Sequence, residues 1–128
     1  MEFFQRALRL VRRSTLHAVM PQFDVHRNTG KQREVIPYVV VVQSSLFDSY
    51  RRRVVVPLVR RSHLDNASSL VGAPMNPAFT IEGIEVVLHP LEIVSIATDQ
   101  LGEKVASLEQ EGDRITAALD EMLTRAWA

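Results

Sequence analysis

Two blocks of β-branched residues set the hydrophobic pattern of this chain, Val39 to Val42 and Val54 to Val56. Such side chains are stiff at χ1 and pack well on a pleated surface, and the polar stretch Gln43 to Arg53 between them supplies a turn. The pattern predicts strand, long loop, strand. Apolar character begins earlier, at Val35, and runs to Val42 on both parities apart from Pro37 and Tyr38. That predicts a central strand covered on both faces, with a partner subunit as one candidate cover, and Pro37 near its start. Upstream, Gln22 to Arg27 alternates Phe23 and Val25 against Gln22, Asp24 and His26. This reads as a half-buried strand, closed by the turn residues Asn28-Thr29-Gly30.

Beyond the second block, Ser62 to Asn66 and the Gly72, Pro74 and Pro77 cluster predict an irregular connection with room for one helical turn. Phe79-Thr80-Ile81 and Ile84 to Leu88 then form a short hairpin around Glu82-Gly83. Leu91 to Ala97 is a further strand, and Thr98 to Gly102 breaks the extended pattern. The last element is a helix, because Leu108, Ile115, Leu119, Met122 and Ala126 recur at intervals of 7, 4, 3 and 4 residues, one stripe of a 3.6-residue repeat. Ser107 is the expected N-cap, Gln110 completes a capping box, and Glu109, Glu111 and Asp113 suit the positive end of the helix dipole. Gly112 costs about 1 kcal/mol against alanine, so the first turn is expected to fray. About six short strands and one terminal helix argue for a small antiparallel barrel-like sheet carrying a helix.

A chain of 128 residues predicts one domain that buries only about two-thirds of its unfolded surface, so a dimer interface suits its size. It has no cysteine, which removes disulfides, thiolate nucleophiles and zinc–thiolate sites and fits a reducing cytoplasm. The 15 basic and 15 acidic residues balance overall but not locally, since residues 1–19 hold Glu2 against Arg6, Arg9, Arg12 and Arg13. Without that segment, 11 basic residues face 14 acidic ones. A core of this charge lacks the footprint of a protein that neutralises many phosphates, so any effect on nucleic acid is expected to be indirect. Residues 1–19 read as a basic amphipathic extension, apart from a domain at 20–128. Their apolar runs are too short for a secretory signal or a membrane span. The extension is either an added helix, packed on the domain or on a membrane surface, or the product of a start placed upstream of Met20.

Candidate chemistry is sparse. His17, His26, His63 and His89 never recur at metal-ligand spacing, so structural or solvent-exposed roles are expected and no metal. No nucleophile elbow, phosphate-binding loop or dinucleotide glycine pattern is present, and no cofactor is expected. Acid–base candidates reduce to Arg33, Arg51 to Arg53, Asp48 and His89. For the arginine run the competing reading is a solvated entrance to a strand.

The stretch Tyr38 to Leu58 carries Val42-Gln43-Ser44, then Leu46 and Phe47 before Asp48, then Arg52 and Arg53 ahead of Val55, Pro57 and Leu58. In this it resembles the CcdB family of toxins from toxin–antitoxin modules. The likeness extends to Met20, Gln22, Phe23 and Val25, to Pro77 and Ile81, and to Glu103, Val105, Leu108 and Ala118. It covers residues 20 to 126, with a short excess in the loop around Asn28 to Arg33.

The resemblance implies an SH3-like barrel, mainly β with a C-terminal helix, forming a cytoplasmic homodimer without an active site of its own. Its implied partner is the DNA gyrase A subunit, and its implied effect is to trap gyrase-cleaved DNA. Leu46, Phe47 and Asp48 match the family's loop contact, and Asp120, Leu123, Thr124, Arg125 and Ala126 match the helix-end contact. Leu46 and Phe47 either meet the partner or anchor the loop inward. Many family members end Trp-Gly-Ile, and Thr124 falls at the tryptophan position. If the helix continues, Trp127 lies about 300° and 4.5 Å further on, within about 60° of the same face, and joins the expected contact. A CcdA-like antitoxin, through which the toxin would also repress its own operon, is expected on Asn28, Lys31 and Arg33 and on Arg60, Arg61 and His63, out to Asn66. Barrels of this kind also resemble the MazF and PemK endoribonuclease toxins. The alternatives are therefore an RNA-cleaving toxin on the same fold or a homologue that keeps only antitoxin binding.

Overall fold

In the computed structural model, which describes residues 21–64 and 73–124, the two valine blocks are neighbouring antiparallel strands. Strand β1 is Asp24–Arg27, β2 Tyr38–Val41, β3 Arg52–Arg60, β4 Ala78–Ile81, β5 Ile84–Leu88, β6 Val94–Ala97 and β7 Lys104–Ser107, followed by helix α1, Gly112–Thr124. The strands lie in the order β4-β5-β3-β2-β1-β7, with β6 also on β3, and every pair is antiparallel. The architecture is the expected one, a mainly β half-barrel of SH3-like type with a C-terminal helix.

Strand β3 is the spine. Arg52 to Val55 pair with β6, Leu58 to Arg60 pair with β5, and β2 runs along the other side. Pro57 falls between the β6 and β5 partners, where a missing N–H breaks no ladder, and its carbonyl accepts the His89 amide at 3.1 Å. The two faces of β2 feed two apolar clusters. Tyr38 and Val40 join Val25, Val56, Leu58, Phe79, Ile81, Leu88, Ile115 and Ala118, while Val39 and Val41 join Val55, Ile96 and Leu101. Each fully buried valine or leucine contributes about 1.5–3 kcal/mol. Both faces of β2 are thus covered from within the chain rather than by a partner subunit, and the strand opens at Tyr38, directly after Pro37.

The β4–β5 hairpin turns where expected. Glu82 and Gly83 have φ of 51° and 78°, the pair of positive values that a type I′ turn needs to match strand twist.

Elsewhere the structure corrects the sequence reading. The first strand begins at Asp24 rather than Gln22, and Asp24 and His26, expected to face solvent, are buried. Each has a distant partner: Lys104 Nζ lies 3.3 Å from Asp24 Oδ2, and His26 Nδ1 donates to the Gly102 carbonyl at 2.9 Å. Pro90–Glu92 is a 3-10 turn, so β6 starts at Val94 instead of Leu91. The described residues form seven strands where about six were expected, because Lys104–Ser107 pairs with β1. The helix accordingly starts later. Ser107 Oγ accepts the Glu109 amide at 3.2 Å, but Glu109–Glu111 form a 3-10 turn and α1 begins only at Gly112. That glycine is no weak point, being buried beneath the Phe23 ring.

Candidate interaction site

The loop between β2 and β3 is shaped by one buried cation. Arg53 is 1% exposed, and its Nη1 donates to the carbonyls of Tyr50 and Arg52 while Nη2 donates to that of Asp48. Its Nε lies 3.5 Å from Asp48 Oδ1, with both side chains out of solvent. Burial pushes the Asp48 carboxyl above its ordinary value, Arg53 works against this, and the nearby Asp24 adds to it. A guanidinium committed to three loop carbonyls fixes the backbone that carries the expected contact residues. Asp48 is therefore corrected from a surface contact to a support beneath the loop. Leu46 is half-buried in the 3-10 turn Ser45–Phe47, capped by Ser44 Oγ, and Phe47 points outward. Of the two expected apolar prongs, one is exposed and the other partly anchors the loop.

At the end of α1, Asp120 and Thr124 are exposed and Leu123 is 68% exposed, so the side chains expected to meet a partner stand in solvent. Arg125, Ala126 and Trp127 lie outside the described residues, as do residues 1–20 and 65–72. The buried stripe of the helix is Gly112, Ile115 and Ala118, with Leu119 partly buried against the larger cluster.

A second surface gathers the residues expected to meet an antitoxin. Arg60 donates its amide to the Val35 carbonyl at 2.7 Å and its Nε to that of Glu34 at 2.9 Å, which brings the loop after β1 against the end of β3. Lys31, Arg33, Arg61 and His63 are exposed there. Asn28 is turned to internal work, accepting the Gly30 amide and donating to the Ile36 carbonyl. A cleft of about 430 Å³ lined by Arg60, Arg61, Ser62, Gly83, Ile84 and Glu85 adjoins this face, and Arg61 pairs with Glu85 at 3.1 Å across it.

Sequence reasoning missed a third cluster. Tyr38 donates its hydroxyl to Glu82 Oε1 at 2.6 Å, and Arg27 Nη2 meets Glu82 Oε2 at 2.8 Å. The Tyr38 bond, then Arg27, holds the Glu82 carboxyl below its usual range; burial, then Glu82, raises the Tyr38 phenol; and Glu82 raises Arg27. Arg27 and Tyr38 are direct cross-strand partners, so the hairpin tip is pinned onto the β1–β2 pair. Arg27 and Tyr38 are 55 and 44 positions from their common partner Glu82, and the sheet order unites them.

As for catalysis, of the acid–base candidates named from the sequence, Asp48 and Arg53 are sealed from solvent, His89 is only partly exposed, and Arg33, Arg51 and Arg52 are exposed. Among the described residues, no three His, Asp or Glu side chains gather as a metal site requires. Among them, too, no helix is long and apolar enough to cross a membrane.

Comparison with known proteins separates fold from family. No curated protein matches the sequence. Among solved structures, the chain is similar to an endoribonuclease from mycobacterial species, with a TM-score of 0.62 and 15% identity over 82% of this chain and 91% of that one. At such identity the likeness speaks for the barrel alone. The sequence itself carries the narrower signal: residues 22–124 match the family model described as CcdB protein, a span holding the valine ribbon, the Arg53-clamped loop and α1 through Thr124, and the chain belongs to the CcdB family of toxin–antitoxin proteins.

Proposed function

We propose that this protein is the toxin of a toxin–antitoxin pair that binds the DNA gyrase A subunit, stabilises its cleaved-DNA state, and has no active site of its own. The family match over residues 22–124 carries this reading. Two surfaces support it physically. The rigid loop presents Phe47 beside Leu46, and the helix end presents Asp120, Leu123 and Thr124, with Trp127 beyond. Large apolar side chains held in water mark contact sites, and aromatic anchors often dominate binding energy. The protein works in the cytoplasm, where gyrase is. A CcdA-like antitoxin takes the basic face of Lys31, Arg33, Arg60, Arg61 and His63. A second copy covers the exposed strip Leu91, Ile93 and Val94, which lies beside the turn that α1 packs on.

The test is gyrase supercoiling in vitro with cleaved-complex accumulation, comparing wild type with Leu123→Ala and Trp127→Ala. Accumulation by wild type and its loss in the variants is expected. Equal poisoning by all three would remove the helix end from the contact. No accumulation, with antitoxin binding retained, would select a homologue that no longer harms gyrase.

The likeness to an endoribonuclease fold sustains one other reading, RNA cleavage. With Asp48 and Arg53 sealed, Arg33, Arg51 and Arg52 are the original candidates left exposed, and Arg33 stands on the basic face. Degradation of RNA by the purified protein without gyrase, abolished in Arg33→Ala, would favour it.

A further inference from the structure

Phe47 and Tyr50 stand out of the β2–β3 loop, 43% and 55% exposed, with ring centroids 6.1 Å apart and planes tilted by 39°. They brace each other at a distance normal for an aromatic pair and still leave ring faces in water. Beside them Arg51 and Arg52 are exposed. Arg52 donates its Nε and Nη2 to the hydroxyl and carbonyl of Ser95, and neither arginine forms an ion pair among the described residues. The only acid between Gln43 and Arg53 is Asp48, which is buried on Arg53. The outer face of the loop therefore combines two aromatic rings with two unneutralised guanidinium groups, on a backbone that Arg53 holds in place.

We infer that this ledge binds single-stranded nucleic acid, with bases stacking on Phe47 and Tyr50 and with Arg51 and Arg52 neutralising two phosphates. Every base has a π face, so such a ledge tolerates any sequence, and paired strands hide those faces within their own stack. The charge complement points the same way: cations without carboxylates beside apolar rings fit a phosphate chain that carries its bases at the side. The acidic balance of the domain limits the affinity without abolishing it, because screening confines the field of each charge to about 10 Å. Binding here needs no gyrase and stands apart from the gyrase reading.

Fluorescence anisotropy tests it, with labelled oligothymidine, oligouridine of equal length and a duplex as probes, and without gyrase. Both single strands are expected to bind and the duplex more weakly. For two phosphates the slope of log affinity against log salt should be about −1.4, and Arg51→Ala should reduce it by about half. Tyr50→Ala or Phe47→Ala should weaken binding roughly 5- to 100-fold, the effect of one lost stacking platform. These side chains are exposed, and circular dichroism of each variant verifies that the fold is kept. Absence of saturable single-strand binding, equal binding by the aromatic variants, or a duplex bound as tightly would each overturn the inference. Cleavage of the oligouridine, with the same dependence on Tyr50, would support the ledge as a track for RNA.

Discussion

The Phe23 ring occupies the space where a side chain on residue 112 would go: a Cβ built on Gly112 would lie 2.6 Å from Phe23 Cε2. Phe23 itself has a φ of 72°, uncommon for a bulky residue. Its amide donates to the Val41 carbonyl and its carbonyl accepts the Leu108 amide, so backbone bonds on both sides hold this conformation. The first turn of α1 is thereby keyed to the start of β1. Gly112→Ala should gain about 1 kcal/mol of helix propensity and lose about 1–3 kcal/mol to overpacking. The expected net result is destabilisation, read by urea unfolding, with partial recovery when Phe23→Leu is added. A more stable Gly112→Ala protein would show that the ring has another place to go.

Arg53 and Asp48 form a pair in which each member neutralises the other out of solvent. Arg53→Met alone should cost about 3–5 kcal/mol, because it strands a buried carboxylate and frees three loop carbonyls. Adding Asp48→Leu should return much of that loss to global stability. The recovered protein should still present Phe47 and Tyr50 less rigidly, seen as weaker partner binding at normal unfolding midpoint. Simple additivity of the two changes would refute the coupling.

Opposite shifts give the acid limb of stability two components. Glu82 is held below its ordinary 4.5, so the unfolded chain takes up its proton first and stability falls as pH drops from 4.5 through the lower folded value. Asp48 is held above its ordinary 3.8, so the folded chain takes up the proton first and stability rises as pH drops through that window. Glu82→Gln should therefore flatten the loss of stability below pH 4.5, whereas Asp48→Asn should steepen the net acid slope by removing the opposing contribution. Glu82→Gln should also bring the Tyr38 phenol down toward its ordinary 10, with burial, the larger cause, still holding it above. Ultraviolet titration of Tyr38 in a Tyr50→Phe background reads this directly.

Leu91 is 63% exposed in the 3-10 turn before β6, and Val94 is 46% exposed at the start of that strand, which among the described residues is an edge pairing with β3. Exposed apolar edge strands invite association. Leu91→Asp with Val94→Lys should convert a dimer into a monomer in sedimentation experiments while leaving the unfolding transition cooperative. A dimer unchanged by both substitutions would place the self-contact elsewhere.

How much of this was legible in the sequence depends on where each residue finds its partners. The valine blocks, the Glu82-Gly83 hairpin and the amphipathic face of α1 declare themselves locally, through side-chain shape and period. Strand β7 does not, since Lys104-Val105-Ala106-Ser107 is short and offers a single β-branched residue. Asp24 and His26 were misread as solvent-facing because their partners, Lys104 and the Gly102 carbonyl, are about eighty positions away. In the candidate site, Phe47 and Leu123 are legible through the family resemblance, and their exposure in the structure agrees with it. Tyr50 directly precedes three arginines, so the sequence itself carries the signal of an aromatic ring beside positive charge. The inward turn of Asp48 could not be read, because it depends on Arg53 entering the interior rather than lining a solvated strand entrance.

The division of β3 between β6 and β5 has a mechanical consequence. Detaching β6 would release the amides along Arg52 to Val55 and unseat the small cluster of Val39, Val41 and Val55, yet leave Leu58 to Arg60 zipped to β5 above the larger core. The two halves of β3 meet at Pro57, and the β2–β3 loop grows from the half that β6 holds. Local opening of β6 at a fraction of the global unfolding cost would therefore shift the Arg53-clamped loop as one piece while the larger core stays shut.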